Sequence, residues 1–109
     1  MVEEINAEEA AKLIEGNKVV KVIDVREADE YEYGHLFGST NFPMSAFSNR
    51  IFDIINKDNK LFVVCRSGSR SLECANRLDI LGYRKVSSVK GGLRGLNNFL
   101  RNKVGVKEW

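Results

Sequence analysis

Three short runs of β-branched and aliphatic residues punctuate the chain, VVKVIDV at 19–25, KLFVV at 60–64 and VSSV at 86–89. Each is followed by a stretch that carries helical spacing or a glycine-marked helix start. Strands that alternate with helices pair in parallel through crossovers and give a layered α/β sheet. A strand as continuously apolar as Val19 to Val25 fits a sheet covered on both faces. Around these three, Val2 to Ile5 reads as a short edge strand and Ser39 to Phe42 as another, stopped by Pro43. The expected fold is a five-stranded, mainly parallel α/β sheet with helices on both faces.

The helices are marked by their ends. Asn6 is placed to cap a helix over Ala7 to Glu15, with Glu9 in position for the reciprocal bond. Gly16 and Asn17 end it. Glu27 to Tyr33 is a short helical candidate closed by Gly34. Ser48 to Asn56, with Ile51, Phe52, Ile54 and Ile55, reads as a helix. Ser69 to Leu81 is the clearest one and ends at Gly82, and Gly92 to Leu100 is the last. At 109 residues the chain suits one domain. That domain is placed at 1–100, with a weakly structured tail at 101–109.

Charge excludes some classes of function. The 17 basic and 15 acidic residues are interleaved and net to +2, unlike the clustered basic stripe of a nucleic-acid binder. The acidic start MVEEINAEEAAKLIEGN lacks the pattern of a secretion signal, and no apolar run is long enough to span a bilayer. A cytoplasmic protein without nucleic-acid or membrane partners is expected. In that setting Cys65 and Cys74 are not expected to form a structural disulfide.

In open α/β sheets ligands bind at the carboxyl ends of the strands. Three such ends carry polar or glycine residues: Asp24 to Arg26, Cys65 to Arg70, and Gly91 with Gly92. The middle one reads CRSGSR. A sharp turn into a helix points successive backbone N–H groups inward and makes a nest for an anion. The helix start adds partial positive charge. Arg66 and Arg70 add formal charge. Gly68 permits a backbone angle that other residues resist, and Ser67 and Ser69 are small donors. A thiol in this cradle is expected to be acidic and nucleophilic. Cysteine-dependent phosphatases use the longer form C-x5-R, which wraps three phosphate oxygens. Here the form is C-x4-R, and a smaller ring suits a smaller occupant, such as one extra sulfur on the cysteine.

VIDVREADEYEYGHLFGSTNFP at 22–43, VVCRSGSRS at 63–71 and LGYRKVSSVKGGL at 81–93, in this order and spacing, resemble the rhodanese-like sulfurtransferases, specifically a single-domain member. The resemblance covers nearly the whole chain. It implies a two-step transfer in which Cys65 takes a sulfane sulfur from a donor such as thiosulfate, as a persulfide. A thiol or cyanide then removes it. The loop Arg66, Ser67, Gly68, Ser69 and Arg70 would hold the substrate and the persulfide. Asp24 and Arg26 match the family's D-x-R, which helps hold the loop and strand ends together. Gly91 and Gly92 would let a strand-to-helix turn approach the loop. The resemblance implies no metal and no organic cofactor. Partners are a small-molecule sulfur donor and a thiol acceptor, with a protein sulfur acceptor also compatible.

Each residue has a plainer alternative. Cys65 as an inert buried thiol, Arg70 as a solvated helix-start residue, and Asp24–Arg26 as a surface ion pair are the competing readings. Cys74 lies on the helix arc of Ala75, Leu78 and Leu81 and reads as core, with a resolving thiol as the lesser reading. His35, beside Gly34, reads as a structural turn residue. Many family members carry tryptophan where this chain has Leu96, and its single tryptophan is Trp109. That departure bears on the packing of the last helix. Two rival functions remain: a non-enzymatic interaction or sulfur-relay module, and a phosphatase or arsenate reductase, against which the short loop argues.

Overall fold

The computed structural model describes residues 2–16 and 19–100. Five strands form one sheet in the order β1-β5-β4-β2-β3, all parallel. They are β1 (Glu3–Asn6), β2 (Val20–Asp24), β3 (Thr40–Asn41), β4 (Lys60–Val64) and β5 (Lys85–Lys90). The helices are α1 (Ala7–Gly16), α2 (Ala28–Tyr33), α3 (Ile51–Ile54), α4 (Ser69–Ile80) and α5 (Gly92–Leu96).

The central strand β4 shows why the apolar runs are continuous. Leu61 and Val63 join one core cluster, while Phe62 and Val64 join the other. Alternate side chains of a strand point to opposite faces, so a strand covered on both sides needs apolar residues at every position. On one face Ile51 of α3 and Cys74, Ala75 and Leu78 of α4 cover Ile23, Leu61 and Val63. On the other, Ala10 and Ala11 of α1 and Leu93 and Leu96 of α5 cover Val22, Phe62, Val64 and Val89. Each large aliphatic side chain buried this way contributes about 2 kcal/mol. Leu96, at the departure noted above, is fully buried in this second cluster.

Two helices are shorter than their sequence pattern. The Ser48–Asn56 candidate condenses to α3. Its first bonds, Ile51 N–H to the Ser48 carbonyl and Phe52 N–H to the Asn49 carbonyl, are of the tighter i→i+3 kind. At its other end Ile55 is extended, with φ −126° and ψ 126°. Beyond it Asn56 accepts the Asp58 N–H through its side chain at 2.8 Å, a local turn that competes with helix. The Tyr83 hydroxyl then satisfies the Ile55 carbonyl at 2.7 Å. Likewise α5 stops at Leu96, where Asn97 and Asn98 follow and the bonds at Asn98 and Phe99 are again i→i+3. At α1, Asn6 Oδ1 accepts the Glu9 N–H at 2.8 Å, the forward half of the expected cap. Asn17 and the tail at 101–109, Trp109 included, lie outside the described residues.

Candidate active site at the carboxyl end of β4

Between β4 and α4 the chain reverses in four residues. Gly68 makes this possible, with φ +112°. A Cβ there would also meet the Gly91 nitrogen at 3.2 Å. Cys65 is 1% exposed, and its sulfur lies inside the turn. The Gly68 N–H donates to Cys65 Sγ at 3.0 Å and the Ser71 N–H at 3.4 Å. Ser71 belongs to the first turn of α4, so the sulfur takes the place of a capping oxygen at that helix start.

Burial pushes the Cys65 thiol up. Opposing this are the Ser71 hydroxyl, the Ser71 and Gly68 amides and the Ser67 amide, and the net effect holds the thiol below its ordinary value. The donors are supplied by backbone geometry, so they are in place before any charge appears on the sulfur. Arg66, Ser67 and Ser69 are exposed around the turn, whereas Gly68 is buried.

The turn is fixed from outside by α5. Leu93 N–H donates to the Cys65 carbonyl at 2.8 Å, and Arg94 N–H to the Arg66 carbonyl at 3.1 Å. This approach depends on Gly92, whose φ is +57°. A Cβ there would collide with the Cys65 carbonyl oxygen and with the Arg66 carbonyl. With their carbonyls bonded to α5, residues 65 and 66 hold the turn so that its amides face the sulfur. Gly92 is thus more than a turn signal.

Arg70 is engaged by Glu30 of α2, with N–O distances of 2.7 and 3.1 Å. The Arg70 guanidinium beside Glu30 holds that carboxyl below its usual range, and the same bond raises Arg70. Arg70 is therefore an ion-paired residue tying α2 to the start of α4. Asp24 and Arg26, 0% and 2% exposed, form a buried pair. Arg26 Nη2 and Nε bond the Asp24 carboxylate at 2.7, 3.0 and 3.1 Å. Arg26 also donates to the Gly34 carbonyl at 2.8 Å and the Glu30 carbonyl at 3.3 Å. A surface ion pair is thereby ruled out for these two. They brace the α2 segment whose Glu30 grips Arg70.

His35 takes the structural part: its Nδ1 lies 2.8 Å from the Tyr31 carbonyl and its ring stacks on Tyr31 at 3.8 Å. Cys74 is buried, and both cysteines are free thiols. Burial pushes the Cys74 thiol up to about 11. Among the described residues no group of His, Cys, Asp and Glu could hold a metal ion.

The candidates named from sequence therefore fall on one rim, the carboxyl ends of β2, β4 and β5. Three further residues belong with them: Ser71, Ser88 and Glu30. Ser88 is fully buried on β5 and its Oγ lies 2.8 Å from Ser71 Oγ. A polar residue inside the VSSV strand was the available signal for it.

A family model for the rhodanese-like domain matches residues 6–98. The chain is a rhodanese-like domain. Its relatives include a protein described as a sulfurtransferase from Allochromatium vinosum, 30% identical over 85% of this chain and 86% of that protein. Another is a putative sulfur carrier protein of Bacillus subtilis, 30% identical over 84% of this chain and 49% of the relative. The crystal structure of a rhodanese-related protein from Thermoplasma volcanium superposes with a TM-score of 0.74 at 33% identity, covering 88% of this chain and 91% of that one. The domain spans about half the length of the Bacillus relative. Among its described residues no helix is long and apolar enough to cross a membrane.

Proposed function

We propose that this rhodanese-like domain is a sulfurtransferase that works through a persulfide on Cys65. The observation that carries this reading is the Cys65 sulfur seated on the Gly68 and Ser71 amides. That arrangement favours a thiolate, and the same inward-facing amides would favour negative charge on a persulfide formed there.

With thiosulfate as donor, the Cys65 thiolate attacks the outer sulfur. The new S–S bond forms as the donor's S–S bond breaks, leaving a persulfide anion and sulfite. In the second step cyanide takes the outer sulfur as thiocyanate, or an acceptor thiolate takes it as its own persulfide, and Cys65 returns as thiolate. This is covalent catalysis, one hard step divided in two. Arg66, Ser67 and Ser69, exposed at the mouth of the turn, would meet the anionic donor. Arg70, paired with Glu30, holds the start of α4 against α2. The transfer as written uses no metal and no organic cofactor.

The test is intact-protein mass after incubation with thiosulfate, compared with Cys65→Ser. The expected result is a gain of one sulfur on the wild type alone, lost on adding cyanide or a reducing thiol. No gain with thiosulfate or with a small-molecule persulfide would overturn the reading. A second reading, relay of the sulfur to a protein acceptor, is favoured by the relative described as a sulfur carrier. It is tested by transfer from the persulfidated domain to a protein thiol. A partner that binds Cys65→Ser as well as the wild type would point to an interaction module. Release of phosphate from an aryl phosphate would point to a phosphatase.

A further inference from the structure

Buried hydroxyls are costly unless bonded, and this domain buries two that touch each other. Ser71 and Ser88 are both 0% exposed. Ser88 lies on the face of β5 that carries Val86, whose neighbours are the apolar residues under α4. An alanine or valine would pack there without a polar cost, so packing does not account for a serine.

Hydrogen counting does. Ser71 Oγ has one hydrogen and three polar neighbours: the Gly68 carbonyl at 3.0 Å, Ser88 Oγ at 2.8 Å and Cys65 Sγ at 3.5 Å. The carbonyl can only accept, so that contact uses the Ser71 hydrogen. The contact with Ser88 is then a hydrogen donated by Ser88, and the one with the sulfur is the thiol S–H donating to Ser71 Oγ. This set is complete for a neutral thiol. Once the thiol proton has left for solvent, the sulfur can only accept. The Ser71 hydrogen must then turn from the Gly68 carbonyl to the sulfur.

We propose that Ser88 is a positioning residue for this turn: its O–H stays donated to Ser71 Oγ before and after the thiol proton leaves. Ser71 Oγ is thereby held beside the sulfur while its hydrogen swings across. A hydroxyl that accepts a hydrogen bond is also a better donor, because chained bonds polarise one another. The proposal rests on Cys65 being the reacting thiol, and it adds a residue on β5 that never touches the sulfur. The charged and titratable groups on the surrounding elements are unchanged by altering Ser88: Arg66 and Arg70 in and after the turn, Glu30 on α2, Asp24 and Arg26 at the end of β2, Lys90 on β5, Arg94 on α5, and Cys74 and Arg77 on α4. A shift seen on altering Ser88 therefore reports the hydroxyl pair.

The experiment is the pH profile of Cys65 alkylation by iodoacetamide, read by peptide mass, which needs no sulfur donor. Ser88→Ala is expected to move the profile to higher pH and slow alkylation at pH 7 by about 1.5- to 4-fold, the share that one chained bond adds to a hydrogen bond on an anion. Ser88→Thr is expected to restore it. In a Ser71→Ala background Ser88→Ala should add nothing, since the two act in series. An unmoved profile in Ser88→Ala, or the same shift persisting without Ser71, would overturn the proposal. If Ser88→Ala does not fold, Ser88→Thr against Ser88→Val gives the same comparison at nearly constant shape, and equal profiles for that pair would overturn it. A domain that shows the alkylation shift but takes up no sulfur would lose the proposed reaction and keep this inference. The opposite result would do the reverse.

Discussion

Cys65 and Cys74 are equally deep, 1% and 0% exposed, and share one core cluster, yet burial leaves them with opposite character. Cys74 stands in the body of α4, where backbone amides are committed to helix bonds, and burial, only partly opposed by Arg77, pushes its thiol from 9.0 up to about 11. Cys65 stands just before the same helix, where the first-turn amides have no intrahelical acceptor. Those amides and the Ser71 hydroxyl outweigh its burial. Depth does not decide how acidic a thiol is. What decides is whether uncommitted donors point at it.

The comparison breaks most completely if the turn loses its shape. Gly92→Ala drives a Cβ into the Cys65 and Arg66 carbonyls at a positive φ. It is expected to cost on the order of 4 kcal/mol, read as a lower urea midpoint, with Cys65 alkylation moving toward the Cys74 pattern. Asp24→Ala leaves Arg26 buried without its partner and is expected to cost about 3 kcal/mol in the same assay. A loss of under 1 kcal/mol would mean that water reaches Arg26 and that the brace is dispensable.

The intact molecule sharpens the contrast through its thiols. Near pH 8, iodoacetamide should label Cys65 at least about 100-fold faster than Cys74, with Cys74 labelled only in denaturant. Their linkage to stability has opposite sign. Cys74 titrates higher when folded, so its contribution is present below its ordinary value of 9.0 and is lost as pH rises toward about 11. Cys65 titrates lower when folded, so its contribution is present above its unfolded value and is lost as pH falls through its folded one. Cys74→Ala should therefore flatten the alkaline fall in stability, and Cys65→Ala should remove a rise. The smallest effect is Glu30→Gln, expected within about 1 kcal/mol because the Arg70 pair is partly solvated.

Much of this was legible in the sequence because it is local. The strand KLFVV, the turn at Gly68 and the helix from Ser69 follow one another directly, so residue order alone gathers Cys65 and its amides. Asp24 and Arg26 are two residues apart and carry their own motif, although their burial was not readable. Ser88 and Glu30 were missed for the opposite reason. Each meets the site only through sheet order or helix packing, and in sequence they are one polar residue of a strand and one acid among many. The ends of α3 and α5 escaped the periodicity because apolar spacing records which side chains are buried, not where i→i+4 bonding stops.

Because α5 fixes the turn by its carbonyls and the sulfur is met by its amides, the turn's own side chains are left largely out of the chemistry. Arg66, Ser67 and Ser69 can change identity without altering the seat of the sulfur. In the proposed reaction the loop thus has two separable parts, a main chain that seats the sulfur and outward residues that would meet the donor. Substitution at these three positions is expected to change donor preference while the Cys65 alkylation profile stays in place.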